Sequence, residues 1–359
     1  MKIAVYSISK NEEKFVKRWA ESAKDADYIL LADTGSTDDT VKIAESIGVN
    51  VFNISVQPWR FDDARNASLA LVPPDIDYCI PLDLDEVLVP GWREALEREL
   101  GKGITRPRYK FVWSWNGDKP EVYFYGDKIH ARSGFRWRHP VHEVIYATGE
   151  PQIESFSEDL QIHHYPDPEK SRGQYLPLLE LSVTEDPNND RNAYYYAREL
   201  FYYDKHEEAI REFQRFLTLS GWDAERGSAY RYMAKCTDNF EEKVEYLNLA
   251  LKEATRREAY MDLAILYYDR QMWAECLNSI KKLLEIEYRP IDYISEAVAW
   301  NGMPYDIGAV AAHAVGDLPL AIDYVEKALS FTPDDERLKA NYDFLRNQSE
   351  DSSIRDSEE

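Results

Sequence analysis

Four short β-type segments alternate with three helical patterns over the first 82 residues of the chain. The expected strands cover residues 2–9, 28–32, 49–54 and 78–82. One helix is expected to open at residues 11–13, one follows Gly35, and the segment 61–67 leads into the third. Strands that alternate with helices at this spacing are typical of a parallel, doubly wound sheet. Because crossovers in such sheets are right-handed, we expect the carboxyl ends of the first, second and fourth strands to share one edge.

Polar residues stand at each of these three strand ends. Asn11 follows the first strand, Asp33 follows the second, and the acidic stretch 83–86 follows the fourth. Open α/β sheets bind their ligands at this edge, and buried carboxylates are costly unless a cation meets them. Strand alternation predicts that Asp83 and Asp85 lie on one side, about 7 Å apart, which suits a hard divalent cation. An acidic turn on a solvated loop is the alternative.

Four motifs occur in a fixed order: Ser-Lys-Asn-Glu-Glu at 9–13, Asp-Thr-Gly-Ser-Thr-Asp at 33–38, Phe-Asp-Asp-Ala-Arg-Asn at 61–66 and Asp-Leu-Asp-Glu at 83–86. Together they resemble the family 2 glycosyltransferases of GT-A fold, most closely the subgroup with a C-terminal helical-repeat domain. The resemblance covers the first hundred residues. It implies a Rossmann-like, mostly parallel α/β catalytic domain that performs inverting sugar transfer from a nucleoside-diphosphate sugar, with a UDP-sugar favoured.

The resemblance also implies roles for individual residues around the donor. Asp33 would bind the nucleobase or ribose, and Arg65 the base or pyrophosphate, unless Arg65 simply pairs with Asp62 or Asp63. Asp83 would hold the ribose or a metal-bound water, and Asp85 would ligate Mn²⁺ or Mg²⁺. The expected nucleotide-sugar contacts are Ser9, Asn11, Glu12, Asp33, Arg65, Asp83 and Leu84, and Glu86 would lie behind the metal ligands.

Beyond a helix expected at residues 90–100, short alternating runs and an Asn116-Gly117 turn predict an antiparallel extension rich in aromatic residues. By the same resemblance, Glu143 is the candidate general base that faces the acceptor, and Asp118 is its competitor. His164 is the candidate third metal ligand, with His142 next. Four of the seven histidines fall in the segments 139–142 and 163–164, a clustering that favours ligation or acid–base chemistry.

The charge distribution limits the kinds of partner that the protein can bind. A net charge of −23 argues against a protein that coats nucleic acid without specificity. Residues 101–140 nevertheless hold nine Lys or Arg against three acids, a local balance of +6. A basic segment beside an acidic metal site suggests an anionic substrate or leaving group, with a solvated basic hairpin as the alternative. The expected acceptor is a macromolecule: an envelope glycan, a peptide or a modified base in DNA.

From about residue 170 the chain becomes helical, and small residues recur at Ala197 and Ala209, at Ala264 and Cys276, and at Ala309 and Ala321. Ala209 and Cys276 lie 67 residues apart, close to two periods of a tetratricopeptide-like repeat. An insertion is expected around residues 290–304. The predicted organisation is a catalytic domain at 1–168, a helical-repeat domain at 169–347 and an acidic, disordered tail at 348–359. The array would hold the acceptor, form a homodimer, or do both.

Three widely spaced cysteines make neither a disulfide framework nor a metal cluster, so a reducing, cytoplasmic setting is expected. No apolar stretch reaches the length of a membrane span, and Met1–Tyr6 lacks the layout of a signal peptide. Two other functions stay open. The chain could be a non-catalytic repeat scaffold with a degenerate nucleotide-binding domain, or a nucleotidyltransferase, although residues 9–12 lack the Gly-rich, basic loop which the latter needs.

Overall fold

The computed structural model describes residues 1–101, 103–149, 152–167, 173 and 175–358, with side chains up to residue 350. The chain divides into two compact units, Met1–Pro187 and Asn188–Glu359. The domain boundary predicted between residues 168 and 169 lies outside the described residues. The first unit is α/β and the second is α-helical, as the sequence predicts.

The first unit contains eleven strands and five helices among the described residues. The strands are β1 (Ile3–Ser9), β2 (Tyr28–Asp33), β3 (Asn50–Asn53), β4 (Tyr78–Pro81), β5 (Glu86–Leu88), β6 (Arg106–Asn116), β7 (Lys119–Gly126), β8 (His130–Ala131), β9 (Phe135–Arg138), β10 (Val144–Ala147) and β11 (Glu154–His164). The helices are α1 (Val16–Ser22), α2 (Thr40–Ser46), α3 (Phe61–Leu71), α4 (Trp92–Leu100) and α5 (Tyr175–Glu185).

The main sheet has the order β3-β2-β1-β4-β8, and its first four strands are parallel. β1 lies at the centre because its apolar residues, Ile3 to Tyr6, are fully or almost fully buried on both faces. The indole N–H of Trp19 on α1 donates to the carbonyl of Leu82 at 2.9 Å, which joins that helix to the chain just past β4. The predicted parallel α/β sheet is confirmed, and β1, β2 and β4 are neighbours in it.

A second sheet, ordered β5-β11-β6-β7, extends the unit. The β6–β7 hairpin turns at Asn116-Gly117, where Gly117 has a φ of 59°, as the Asn-Gly pair predicts. β11 is eleven residues long and runs parallel to β6 and antiparallel to β5. Its polar, acidic first half hides the strand pattern, and the sequence predicted no strand there. β9 and β10 form a separate two-stranded ribbon.

The second unit is an array of antiparallel helix pairs. The first helices of successive pairs are α6 (Asp190–Tyr202), α8 (Asp223–Lys235), α10 (Arg257–Asp269) and α12 (Met303–Ala314). Each is followed by its partner, α7 (His206–Leu219), α9 (Phe240–Glu253), α11 (Trp273–Leu284) or α13 (Leu318–Phe331). From the start of α6 at Asp190, the steps to Asp223, Arg257 and Met303 are 33, 34 and 46 residues. The period and the predicted insertion before α12 are both present.

The last helix, α14 (Glu336–Glu358), continues through most of the segment for which the sequence predicts a disordered tail. Residues 336–358 contain neither glycine nor proline, so nothing in the backbone interrupts the helix. Leu338 and Leu345 of α14 are buried and join the apolar core of the second unit. That packing accounts for the first part of the helix.

A buried histidine makes the stability of the first unit sensitive to acid. His130 is fully buried beside the Tyr6 hydroxyl, and burial lowers its pKa to about 4. The unfolded chain, whose histidine titrates near its ordinary value of about 6.5, therefore takes up the proton first as the pH falls. We expect the free energy of unfolding to drop between about pH 6.5 and 4, by up to about 3 kcal/mol from this group. In urea titrations across this range, the free energy of unfolding of wild type should fall relative to that of His130→Leu by this amount; parallel curves would contradict the assignment.

Candidate active site

The loops after β1 and β2 are fastened to each other. Asn11 has a left-handed backbone, with a φ of 58°, and its amide oxygen accepts the backbone N–H of Thr37 at 2.7 Å. The backbone N–H of Asn11 donates in turn to the Ser36 hydroxyl at 2.8 Å, and that of Glu12 donates to Thr40 Oγ1 at 2.7 Å. The structure thus brings Asn11 and Glu12 to the edge where the sequence predicts them, as parts of one double loop.

The carboxylate of Asp33 stabilises this double loop through hydrogen bonds. Its carboxylate is almost fully buried and accepts hydrogen bonds from the Ser9 hydroxyl at 3.0 Å and from the backbone N–H groups of Gly35 and Ser36 at 2.9 and 2.8 Å. The Ser36 hydroxyl donates to the same carboxylate. Both carboxylate oxygens therefore have partners at this edge of the sheet. Any contribution of Asp33 to nucleotide binding includes fixing the loop backbone that would surround the nucleotide.

The acidic stretch after β4 is a turn and not a continued strand. β4 ends at Pro81, and the backbone N–H of Glu86 donates to the carbonyl of Asp83 at 2.9 Å, which closes the turn before β5 begins. The prediction that Asp83 and Asp85 share one face of a strand is wrong for this reason. The two carboxylates instead meet different partners. Leu84, between them, is buried in the apolar core.

Arg65 joins the two halves of the site. Its guanidinium is buried, donates to Asp83 at 2.7 Å through Nη2 and donates to Glu143 through Nε. It also lies 5.0 Å from the ring centroid of Trp137. The predicted alternative, a pair with Asp62 or Asp63, is wrong, because Arg60 takes both of those acids, at 3.0 and 3.8 Å. One guanidinium thus contacts both Asp83, on the expected nucleotide-sugar side of the site, and Glu143, the expected general base.

Lys128 is a member of the site that the sequence reasoning counted only as part of the basic segment. Its ammonium lies 3.1 Å from Asp83 and 3.3 Å from Glu86. Burial raises the pKa of Asp83, but the charges of Arg65 and Lys128 lower it by more, so Asp83 stays ionised. Burial, with the nearby charges of Asp83 and Asp85, raises the pKa of Glu86 to about 7 against the effect of Lys128.

Asp85 pairs with His164. The imidazole Nε2 lies 3.5 Å from an Asp85 oxygen, because β11 runs antiparallel to β5 and sets His164 opposite Glu86. The other ring nitrogen, Nδ1, contacts the carbonyl of Trp113 at 3.3 Å. Burial lowers the pKa of His164, but the Asp85 carboxylate raises it by more, and the net change is upward.

The donor set of Asp85 and His164 suits a divalent metal. A carboxylate oxygen and an imidazole Nε2 are good ligands for Mn²⁺, and the Nδ1 contact with a backbone carbonyl is the arrangement that aims Nε2 at a metal. Among the described residues, no three His, Cys, Asp or Glu side chains are grouped as a complete metal site. Asp83, the other predicted ligand, has both oxygens on Arg65 and Lys128. Two protein ligands fit a cation that takes its remaining oxygens from a diphosphate and water.

Two other predicted residues have different surroundings. Asp118 is exposed in the β6–β7 turn, and no hydrogen bond or ion pair of the described residues connects it with Asp85 or Glu143. His142, next to Glu143, packs the edge of its ring against Tyr175, with centroids 5.7 Å apart. The structure therefore gathers Arg65, Asp83, Glu143, Asp85 and His164 and leaves Asp118 outside this cluster.

Part of the first unit matches a known protein family. Residues 5–116 match the model of glycosyl transferase family 2, a stretch that runs from within β1 to the end of β6 and includes the acidic turn. The first unit is thus similar to family 2 glycosyltransferases over residues 5–116, and helix pairs, the first three of which recur every 33 or 34 residues, follow it.

Particular relatives are similar over the first part of the chain. An uncharacterized glycosyltransferase of Rickettsia bellii is 35% identical over 97 residues, which are 27% of this chain and 32% of the relative. That of Rickettsia typhi is 34% identical over the same shares. The chain therefore spans about a third of the length of these curated relatives.

Solved structures resemble parts of the chain at low TM-scores. A thermophilic TPR protein of Thermus thermophilus is 17% identical, with 47% of this chain and 88% of that chain covered, at a TM-score of 0.32. Glucosyl-3-phosphoglycerate synthase of Mycobacterium tuberculosis is 27% identical, with 31% and 44% covered, at a TM-score of 0.26. In the part of the chain that the structure describes, no helix is both long enough and apolar enough to cross a membrane.

Proposed function

We propose that this protein is an inverting, metal-dependent glycosyltransferase that moves a sugar from a nucleoside-diphosphate sugar, with UDP-sugar favoured, to a hydroxyl or similar nucleophile of a macromolecular acceptor. The observation that carries the proposal is the cluster of Arg65, Asp83, Asp85, Glu143 and His164 at the carboxyl edge of the sheet, inside or beside the family 2 match. Ligands of α/β sheets bind at this edge.

On this proposal the nucleoside lies against the double loop of Asn11 and Asp33, and the diphosphate lies near Asp85 and His164. Those two residues would hold Mn²⁺ or Mg²⁺, which when bound supplies positive charge for the departing diphosphate. Asp83 would orient Arg65 and Lys128, since its carboxylate binds both. These two fixed cations add to the positive charge that faces the leaving group, at no cost of reorganisation.

Glu143 is the proposed general base. Arg65 Nε donates to Oε1 of Glu143. The other carboxylate oxygen of Glu143 has no hydrogen-bond partner among the described residues, so that oxygen can accept the proton of the attacking group. A base held by a buried guanidinium has a fixed position relative to Asp83, and such positioning is what an in-line displacement requires. Asp118, exposed in its hairpin turn, has no comparable support.

Glu143→Gln is expected to leave UDP binding within about twofold of wild type and to lower the rate of sugar transfer by about a hundredfold or more. The amide keeps the size of the side chain but cannot take up the proton. Asp118→Asn is expected to keep most of the activity. Radiolabelled sugar transfer and UDP titration measure both effects. If Asp118→Asn is the inactive variant and Glu143→Gln the active one, the base has been assigned to the wrong residue.

The helical array is proposed to hold the acceptor, to form a homodimer, or both, because stacked helix pairs offer an extended surface. A cytoplasmic setting is part of the same proposal, supported by three cysteines that are all unpaired. The second candidate function is a non-catalytic scaffold, in which the helical array binds a partner and the nucleotide-binding domain is degenerate. Only the second unit would be functional in that case. The ion pairs of the first unit count against a degenerate domain. Asp83, Asp85, Glu86 and Glu143 lie with Arg65 and Lys128 in one charged group, which is costly to keep without a ligand to bind.

A further inference from the structure

An exposed aromatic surface, which none of the proposed roles uses, lies beside His164. It consists of Trp113 and Trp115 on β6, Tyr165 just past β11 and Arg18 on α1, and is called the aromatic strip below. Trp113 stacks on the imidazole of His164, with ring centroids 4.3 Å apart and planes at 17°. The strip therefore begins in contact with one member of the Asp85–His164 pair.

The other members continue the strip away from that pair. The indole N–H of Trp115 donates to the carbonyl of His164 at 3.3 Å, and its ring is parallel to that of Tyr165, 5.7 Å away. The guanidinium of Arg18 lies 4.8 Å from the centroid of the Tyr165 ring. Each ring is thus held in place by a neighbour or a hydrogen bond, and the strip is built from two strands and a helix.

The rings of the aromatic strip are exposed to solvent, unlike the neighbouring core residue of the same strand. Trp113 is 49% exposed and Tyr165 is 36% exposed, whereas Phe111, two residues before Trp113 on the same strand, is buried. The indole N–H of Trp113 donates to no described residue. A large aromatic ring that is fixed on one side and open on the other, next to a reaction centre, is a typical binding surface for a ring-shaped ligand.

The charge of the strip selects among ligands. Arg18 is the only charged residue of the four. The basic residues that precede the two tryptophans on β6 have acidic partners, Arg108 with Glu154 at 4.0 Å and Lys110 with Glu158 at 3.8 Å. A protein that binds a nucleic-acid backbone instead neutralises several phosphates at once. Pyranose rings are uncharged, present C–H groups that pack on an aromatic face, and carry hydroxyls that can accept from an indole N–H. We propose that the aromatic strip binds a pyranose ring of the acceptor on Trp113, so that the acceptor of this protein is a glycan. This inference rests on the proposed function and specifies its acceptor.

The test uses the full chain with saturating UDP and Mn²⁺ and a panel of neutral tetrasaccharides built from glucose, N-acetylglucosamine, galactose or mannose. Binding is measured by saturation-transfer NMR and calorimetry. At least one tetrasaccharide is expected to bind wild type, and Trp113→Ala should weaken it about tenfold, the size of one lost stacking contact. Trp113→Leu, which keeps apolar bulk, should weaken it by a similar factor. Phe156→Ala, at a 43% exposed aromatic residue of β11, is the matched control and should bind as wild type.

Several results would overturn the glycan assignment. These are a panel in which nothing binds wild type, equal binding by Trp113→Leu, or Trp113-dependent binding of a thymidine oligonucleotide instead of any tetrasaccharide. UDP affinity with Mn²⁺ is measured on every variant and should stay within about twofold of wild type, which separates ring stacking from an indirect effect through His164. If wild type itself fails to bind any nucleoside diphosphate, the proposed function fails; if only the sugars fail, the glycan assignment does.

Discussion

Asp85→Ala is expected to lower sugar transfer by about a thousandfold or more while the protein remains folded. Asp85 is one of two side chains proposed to hold the metal, and its loss removes several kcal/mol of charge stabilisation at the leaving group. The free energy of unfolding should change little, because the Asp85 carboxylate is 21% exposed and, among the described residues, its ion pair is with His164 alone. His164 then also loses the charge that raises its pKa.

Transfer rates, Mn²⁺ affinity and thermal melting measure these effects together. Asp159→Ala is the matched control: Asp159 lies on β11, its side chain is 76% exposed, and it forms a surface ion pair with Arg98. It should leave all three quantities unchanged. An Asp85→Ala protein that keeps more than about a tenth of wild-type activity would show that the metal, if one is used, is held elsewhere.

Arg65→Met is expected to lower the free energy of unfolding by about 3 to 5 kcal/mol and to abolish transfer. The guanidinium is buried and neutralises Asp83 and Glu143. Its removal leaves Glu143, whose side chain is 10% exposed, without its ion pair and leaves the partly buried Asp83 with Lys128 as its remaining cation among the described residues. Breaking a buried ion pair by removing one partner costs this much because the remaining charge is stranded. Arg65→Lys should rescue little, since an ammonium cannot reach both acids as a planar fork does.

The double variant Arg65→Met with Glu143→Gln should recover part of the lost stability, because it removes one of the stranded charges. Arg98→Met, which breaks an exposed pair, should cost no more than about 1 kcal/mol. Urea titrations near neutral pH decide the matter. A loss below about 1 kcal/mol for Arg65→Met, or no coupling to Glu143, would mean that Arg65 does not hold the two halves of the site together.

Much of the first unit follows from local patterns. Apolar runs and helical spacing predict β1 to β4, and the parallel connection of β1, β2 and β4 brings Asn11, Asp33 and Asp83 to one edge. Both inferences use only periodicity and the handedness of crossovers, which depend little on side-chain detail. The repeat period of the second unit was predictable for the same reason.

The partners of the charged residues were not predictable in this way. Arg65 and Glu143 are 78 residues apart in the chain, and Lys128 and Asp83 are 45 apart. Which acid a buried cation meets depends on tertiary packing, and local proximity pointed to Asp62 for Arg65 when Arg60 takes it. Likewise, the turn that separates Asp83 from Asp85 exists because β5 pairs with the distant β11, a strand that the sequence pattern did not reveal.

The central claim is that the carboxyl edge of the first unit binds a nucleoside diphosphate through a metal. Thermal melting of wild type with UDP, in Mn²⁺ and then in excess EDTA, tests it most directly. We expect UDP at a hundredfold excess over its Kd to stabilise the protein by about 2.7 kcal/mol in Mn²⁺, and the stabilisation to vanish in EDTA. A protein that neither UDP nor any other nucleoside diphosphate stabilises in a metal-dependent way would contradict the claim.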